Sequence, residues 1–141
     1  MGLLTKVDEM MKRIVVLGMF FSFLLAGYGL AQIDRVEEVK NLMAGLESSS
    51  QVKRINSAKI ITRSGLRDQG LYVKVADLLR AGYMQEYEKQ HADEMSWMCK
   101  ALAASGDQQY RALLDEVATK SPSVKVKKYA KESSSQIDDY A

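Results

Sequence analysis

Cys99 is the only cysteine of the sequence, and it follows the only tryptophan, Trp97, by two residues. A reactive cysteine needs a lowered pKa, which a histidine, a cationic pocket or a helix N-terminus can supply, and it needs access to solvent. Here the cysteine lies mid-helix on an apolar stripe, and the adjacent Lys100 points to another side of that helix. A free cysteine in such a place behaves as a small apolar residue. We therefore predict that Cys99 is a core residue and not a nucleophile, a metal ligand or half of a disulfide.

His91 is the only histidine, and Glu88 precedes it at the spacing of carboxylate-bridged metal sites on helices. Such sites use this pair twice and add further carboxylates, which a single histidine cannot provide. The sequence also lacks a two-histidine zinc motif, a phosphate loop, a dinucleotide glycine pattern and a nucleophile elbow. We therefore predict no metal, no cofactor and no enzymatic activity. An enzyme that uses Cys99 or His91 is the weaker alternative.

The charges of the chain are nearly balanced, with 20 lysines and arginines against 18 aspartates and glutamates. This balance does not predict a nucleic-acid partner. The one local bias is a group of lysines near the C-terminus, namely Lys120, Lys125, Lys127, Lys128 and Lys131. Because they lie on several sides of a predicted helix, we interpret them as a solvated surface. Attraction to anionic lipid or to an acidic partner is the alternative.

Residues 1–31 have the pattern of a secretion signal. A basic pair precedes an apolar run, and Gly29 and Ala31 supply the small side chains that signal peptidase requires. Cleavage before Gln32 would make the mature protein periplasmic or secreted. Because the apolar run 14–31 approaches the length of a membrane span, the alternative is an uncleaved anchor that displays the rest of the chain outside the cytoplasm.

After residue 31, apolar residues recur at helical spacing, and almost no segment alternates as a half-buried strand would. Serine clusters and Ser-Gly pairs at 48–50, 64–65 and 105–106 end these stripes. The pattern predicts an all-α chain of about six helices. In the first two of these helices the predicted inward residues are Ile33, Val36, Val39, Leu42, Met43, Leu46, Val52, Ile55, Ala58 and Ile61.

The stripes also repeat along the chain. The positions Ile55, Ala58, Ile61 and Ser64-Gly65 match Ser96, Cys99, Leu102 and Ser105-Gly106 at a distance of 41 residues. The partner helices, which begin near Tyr72 and Tyr110, match at a distance of 38 residues. The loop before Tyr72 is therefore predicted to be three residues longer than the loop before Tyr110. Helix pairs that recur at this distance are typical of an α-solenoid, in which each pair buries its apolar face against its neighbours.

This pattern resembles HEAT repeats over residues 48–138. The segment SPSVKVKKYA at 121–130 is similar to the start of a first HEAT helix, where a proline, a valine followed by a basic residue and a small alanine recur. Ser121 is the predicted N-cap and Pro122 the first-turn residue of this helix. The sequence departs from the family at Ser133 and Ser134, which stand where bulky aliphatic residues are preferred. This departure suits a terminal cap.

The resemblance implies a short right-handed α-solenoid at residues 32–141, with an N-terminal helix at 32–47 and a C-terminal capping helix at 121–138. We expect its concave surface to bind or scaffold another envelope or secreted protein, with no nucleic acid and with membrane contact only through an uncleaved 14–31. The tentative binding residues are Arg80, Tyr83, Glu86, Tyr87, Arg111 and Asp115.

Tyr83, Tyr87 and His91 are spaced by four residues. On a continuous helix they would form an aromatic strip of the kind that is enriched where proteins meet. The alternative is that the rings fold over the core and only the hydroxyls reach solvent.

Overall fold

The computed structural model of the protein describes the backbone of residues 2–85 and 88–139, and the side chains of these ranges except 16–30 and 138–139. Within this part every regular element is a helix, which confirms the prediction of an all-α chain. The elements are α1 (Gly2–Glu47), α2 (Gln51–Ser64), α3 (Gln69–Gly82), α4 (Lys89–Ala104), a 3-10 helix (Gln108–Tyr110), α5 (Arg111–Lys120) and α6 (Val124–Asp139).

The chain divides into two compact units, Met1–Glu38 and Val39–Ala141. In the first unit Ile33 and Val36 are 66% and 67% exposed, so the prediction that they face a core is wrong. Burial along α1 begins in the second unit, where Leu42 is 4% exposed. Apolar spacing marks one face of a helix, but it does not tell how far along that face the neighbouring helices reach.

The predicted signal or anchor segment lies largely among residues whose side chains are not described, so it stays a prediction. No helix among the described residues is both long enough and apolar enough to cross a membrane.

Helix α4 is the central element of the second unit. It packs against α2, α3 and α6, while α5 packs against α6. A helix with neighbours on several sides must be apolar almost all round, and α4 buries nine residues between Ala92 and Ala103. The inward positions that helical spacing predicts for the later helices are mostly buried as well, namely Tyr72, Val75, Ala76, Leu79, Met95, Met98, Leu102, Ala103, Tyr110, Leu113, Leu114, Val117, Val126, Ala130 and Ile137. Two members of the same stripes, Leu78 and Ala118, are only partly buried.

Val52 is an exception, because it is 53% exposed although the stripe predicted it to be inward. It lies in the first turn of α2, and burial along this helix starts one turn later, at Ile55. The apolar side chains of the neighbouring helices therefore leave Val52, in the N-terminal turn of α2, largely uncovered.

The ends of α2 and α4 share one geometry. Gly65 and Gly106 both have a φ of 64°, in the left-handed region that glycine enters without a steric penalty. The serine before each glycine donates to the carbonyl three residues earlier, at 3.3 Å for Ser64 and 2.6 Å for Ser105. The repeated Ser-Gly pairs are therefore helix terminators, as their position predicts.

The start of α6 differs from the prediction. Ser123 caps this helix, because its Oγ accepts from the backbone N–H of Val126 at 3.3 Å. Ser121 is fully buried and donates its own backbone N–H to Val117 O at 3.0 Å, which ends α5. The prediction that Ser121 is the N-cap is wrong, since its backbone N–H completes the preceding helix, and Pro122 lies between the two helices.

Candidate functional site

The described members of the predicted binding set lie at the C-terminal end of α3 and on α5. Arg80 Nη1 donates to Asp77 Oδ1 at 3.1 Å. On α5, Arg111 Nε lies 3.8 Å from Asp115 Oδ2, one turn further along the helix. Both pairs are exposed, so each adds no more than about 1 kcal/mol to stability and its charges remain accessible. We call this the α3–α5 surface and include in it Arg80, Arg111, Asp115, Glu116 and Lys120.

Tyr83 follows the last residue of α3 and connects α3 to α5. Its hydroxyl donates to Glu116 Oε1 at 2.8 Å, and Lys120 Nζ donates to the same oxygen at 3.1 Å. These hydrogen bonds stabilise the carboxylate, so they lower the pKa of Glu116 and raise the pKa of Tyr83 and of Lys120. Tyr83 is only 8% exposed, so most of its side chain is not accessible to a partner, although it was among the predicted binding residues. Tyr83 therefore matches the alternative given above, in which the ring covers the core and only the hydroxyl reaches the surface.

Asp115 has a structural contact as well as an exposed position. The Oγ of Ser134 donates to Asp115 Oδ1 at 2.5 Å, and Ser134 itself is 5% exposed. The carboxylate therefore joins α5 to α6, and it satisfies a buried hydroxyl that an aliphatic residue would not present.

Glu86 and Tyr87, the remaining predicted binding residues, lie outside the described residues. Tyr83 and His91 do not share a helix, since Tyr83 follows α3 whereas His91 belongs to α4. The predicted continuous strip from Tyr83 to His91 is therefore not formed.

Glu94 is a buried carboxylate that the apolar stripe of α4 did not predict. It is 1% exposed, and it accepts from Arg54 Nε at 2.5 Å, from Arg54 Nη2 at 3.2 Å and from Gln51 Nε2 at 2.9 Å. Arg54 Nη1 also donates to the carbonyls of Ser48 and Ser49, at 2.8 and 3.0 Å. The hydrogen bond with Glu94 raises the pKa of Arg54. This network joins α4 to α2 and to the turn that precedes α2.

His91 lies beside this network. Its Nε2 is 2.9 Å from Gly82 O, and its Nδ1 is 3.7 Å from Glu94 Oε2. The ring therefore links the end of α3 to the start of α4. Among the described residues, no group of three or more His, Cys, Asp or Glu side chains is placed to hold a metal ion.

Cys99 is fully buried in the core, which confirms its predicted position. Burial raises the pKa of its thiol to about 12, because the apolar surroundings disfavour the thiolate. A nucleophilic cysteine needs an accessible thiolate. The surroundings of Cys99 provide neither the access nor the ionised form.

A second surface combines aromatic rings with cations. We call it the Trp97 face, and its residues are Lys59 and Arg63 of α2, Trp97 and Lys100 of α4, and Lys128 and Tyr129 of α6. The nearest cation to the Trp97 ring centroid is Lys100 Nζ, at 4.3 Å. The same Nζ lies 4.2 Å from the Tyr129 centroid, so Lys100 makes a cation–π contact with both rings.

The connection between α2 and α3 and the connection between α4 and α5 border a cleft of about 210 Å³. It is lined by Arg67, Gln69, Tyr72, Ser105, Asp107 and Tyr110. The Tyr72 hydroxyl donates to Leu66 O at 2.6 Å. The Tyr110 hydroxyl is buried and has no hydrogen-bond partner among the described residues. The two tyrosines at matching positions of the repeat therefore differ in whether their hydroxyl is satisfied.

No protein-family model, no curated protein and no solved structure matches the chain. The resemblance to HEAT repeats therefore stays a prediction. The function has to be inferred from the chain's own residues and their geometry.

Proposed function

We propose that the chain is an exported, non-enzymatic protein of the cell envelope that binds or scaffolds another protein through its α3–α5 surface. Its second unit is proposed to be a short right-handed α-solenoid of HEAT-like helix pairs. Export rests on the signal-like pattern of residues 1–31.

Two features of the packing support the solenoid. Helices α2, α4 and α6 pack in series, and each intervening helix, α3 or α5, packs against the next member of that series. First helices stacked on first helices are what an array of helix pairs requires. The matching Ser-Gly ends of α2 and α4 support a repeated unit, since their φ angles and serine contacts agree.

The observation that carries the binding role is the fixed charge pattern of the α3–α5 surface. The hydrogen bond from Tyr83 to Glu116 ties α3 to α5, so Arg80 and Arg111 are displayed on helices held in one arrangement. Charges that are held in place before association give specificity and lose less entropy on binding. Arg is also enriched at protein interfaces.

The test is affinity capture of the tagged protein from its own envelope, followed by mass spectrometry. The decisive comparison is between the Arg80→Glu/Arg111→Glu variant and the Lys127→Glu/Lys131→Glu variant, which changes the same net charge at exposed positions of α6. A partner that is captured by wild type and by the α6 variant, and lost with the arginine variant, is the expected result. Equal capture by all three proteins would overturn the role of this surface, provided that circular dichroism shows all three folded.

The second candidate is a membrane-anchored accessory protein that keeps residues 14–31 and displays the same helices outside the cytoplasm. It is favoured by the apolar run of residues 14–31, whose length approaches that of a membrane span. Intact mass and N-terminal sequencing of the exported protein separate the two candidates. A mature chain that begins at Gln32 supports the exported form, whereas a full-length chain in the membrane fraction supports the anchor.

An enzymatic role would have to involve other residues than Cys99, because that thiol is buried and its pKa is raised. His91 is turned toward Gly82 and Glu94, where it holds helix ends together. Neither residue therefore favours catalysis over binding.

A further inference from the structure

The cations of the Trp97 face surround a single indole ring. Lys59 Nζ, Arg63 Cζ and Lys100 Nζ lie 5.3, 5.7 and 4.3 Å from the Trp97 ring centroid. On α6, Lys128 Nζ lies 5.9 Å from the Tyr129 centroid. All of these distances are within the range at which a ring quadrupole attracts a cation. The rings thus allow several positive charges to share a small area of three neighbouring helices.

Among the described residues, no carboxylate neutralises the cations nearest Trp97. Lys59, Arg63 and Lys100 form no ion pair with any carboxylate whose side chain is described. The neighbouring lysines differ, since Lys125 pairs with Asp93 and Lys128 lies 4.0 Å from Glu132. A ring quadrupole attracts a cation but carries no net charge, so the centre of the Trp97 face keeps an excess of positive charge.

A small cleft lined by polar and apolar groups adjoins Lys100. It measures about 230 Å³, and its lining includes Thr62, Tyr129 and Gln136. This volume is below the range of roughly 300–1,000 Å³ that is typical of pockets for small molecules and cofactors. It suits a single side chain, for which Thr62, Lys100 and Gln136 are donors while Ala103 and Ala104 contact its apolar part.

We propose that the Trp97 face binds an acidic segment of a partner protein, whose aspartate or glutamate carboxylates contact Lys59, Arg63 and Lys100. The segment crosses α2, α4 and α6 and places one side chain in the cleft beside Lys100. This surface lies on other helices than the α3–α5 surface, so the two can be tested separately.

The acidic groups on the same side favour a peptide over an anionic membrane. Asp93 precedes Trp97 by one turn of α4, and Glu132 lines the cleft. A continuous negative surface would repel these carboxylates, whereas a peptide can place its charges over the cations alone. The Trp97 ring is also surrounded by cations, and a membrane-inserting aromatic residue needs an uncovered apolar ring.

The experiment titrates the full chain with a short peptide rich in aspartate and glutamate, and with the same peptide in its asparagine and glutamine form. The only tryptophan, Trp97, reports binding by its fluorescence. We expect saturable binding of the acidic peptide alone, and weaker binding as the salt concentration rises. Binding of both peptides with equal affinity, or of neither, would overturn the proposal.

The variants locate the site. Arg63→Gln/Lys100→Gln should weaken peptide binding by about tenfold or more, because the two charge-assisted hydrogen bonds that are lost correspond together to at least about one decade in Kd. The matched control, Lys127→Gln/Lys131→Gln, removes the same net charge from exposed positions outside the Trp97 face and should change Kd by less than about twofold. Peptide anisotropy provides a second readout that does not depend on Trp97. Equal weakening by both variants would mean that only net charge matters, and would refute the site.

Two further probes distinguish the other anionic partners. Phosphatidylglycerol vesicles and a single-stranded oligonucleotide are titrated under the same conditions. Preferential binding of either one to the Trp97 face, with no saturable peptide binding, would replace the acidic peptide by that partner. Unchanged peptide binding by the Arg80→Glu/Arg111→Glu variant would show that the Trp97 face acts independently of the proposed α3–α5 surface, and lost binding would contradict its independence.

Discussion

Replacing Glu94 by glutamine tests whether the buried ion pair with Arg54 holds α2 against α4. The substitution keeps the side-chain volume but removes the negative charge, and an amide has only one oxygen to accept hydrogen bonds. Glu94 accepts three hydrogen bonds in the native protein. At least one of them is lost, and the guanidinium of Arg54 keeps its charge without a counter-charge.

The size of the stability loss depends on how much water reaches the pair of Arg54 and Glu94. Removing one partner of a buried ion pair costs about 3–5 kcal/mol. The Arg54 side chain is 20% exposed and keeps two hydrogen bonds to backbone carbonyls, so the lower end of that range applies. A loss of about 3 kcal/mol is a large part of a typical stability of about 5–15 kcal/mol. For a unit of this size it corresponds to a Tm lower by about 12–24 °C.

Urea and thermal unfolding followed by far-UV circular dichroism measure this loss. The matched control is Asp77→Asn, which removes the same charge from the exposed pair with Arg80. An exposed pair contributes no more than about 1 kcal/mol. The reasoning is refuted if Glu94→Gln and Asp77→Asn destabilise the protein equally, because burial would then not determine the strength of the pair.

Three other outcomes follow from the hydroxyl and thiol groups. Tyr72→Phe removes a hydrogen bond and should cost about 1 kcal/mol, whereas Tyr110→Phe removes an unpartnered hydroxyl and should be neutral or stabilising; equal urea midpoints for the two variants would contradict this. Tyr83→Phe should raise the pKa of Glu116 toward 4.5. Since the folded-state pKa of Glu116 is depressed, its contribution to stability is present above 4.5 and lost as pH falls through the lower folded value. The variant should thus lose less stability in acid, and an unchanged carboxyl titration by NMR would argue against the contact. Cys99→Ala should cost about 1 kcal/mol, and native Cys99 should resist thiol reagents at neutral pH; rapid labelling would show that the thiol is accessible.

Helix positions and most of the core could be predicted because the apolar residues of α3 to α6 recur at helical spacing. Cys99, for example, is buried where its stripe places it. Ile33, Val36 and Val52 were assigned wrongly for one reason. A stripe defines the apolar face of a helix, whereas burial depends on whether another helix lies over that face, which the local sequence does not contain.

The polar contacts could be predicted only where both partners lie on one helix. The pair of Arg111 and Asp115 follows from its spacing of four residues, and the same spacing relates Glu116 to Lys120, which was overlooked. The pair of Arg54 and Glu94 joins residues 40 positions apart. No local rule relates such residues, so a charged residue inside an apolar stripe is the only signal that a buried partner exists.

The central place of α4 has a consequence for the order in which the chain folds. Helices α2 and α3 emerge before α4 during synthesis, and both pack mainly against it. Until α4 is available their apolar faces have no cover, and isolated helices of this length are marginal in water. The segment of α2 and α3 therefore stays unfolded until α4 has been synthesised. A chain that crosses a membrane N-terminus first would consequently still be unfolded while α2 and α3 pass, and it would fold only once α4 has followed them.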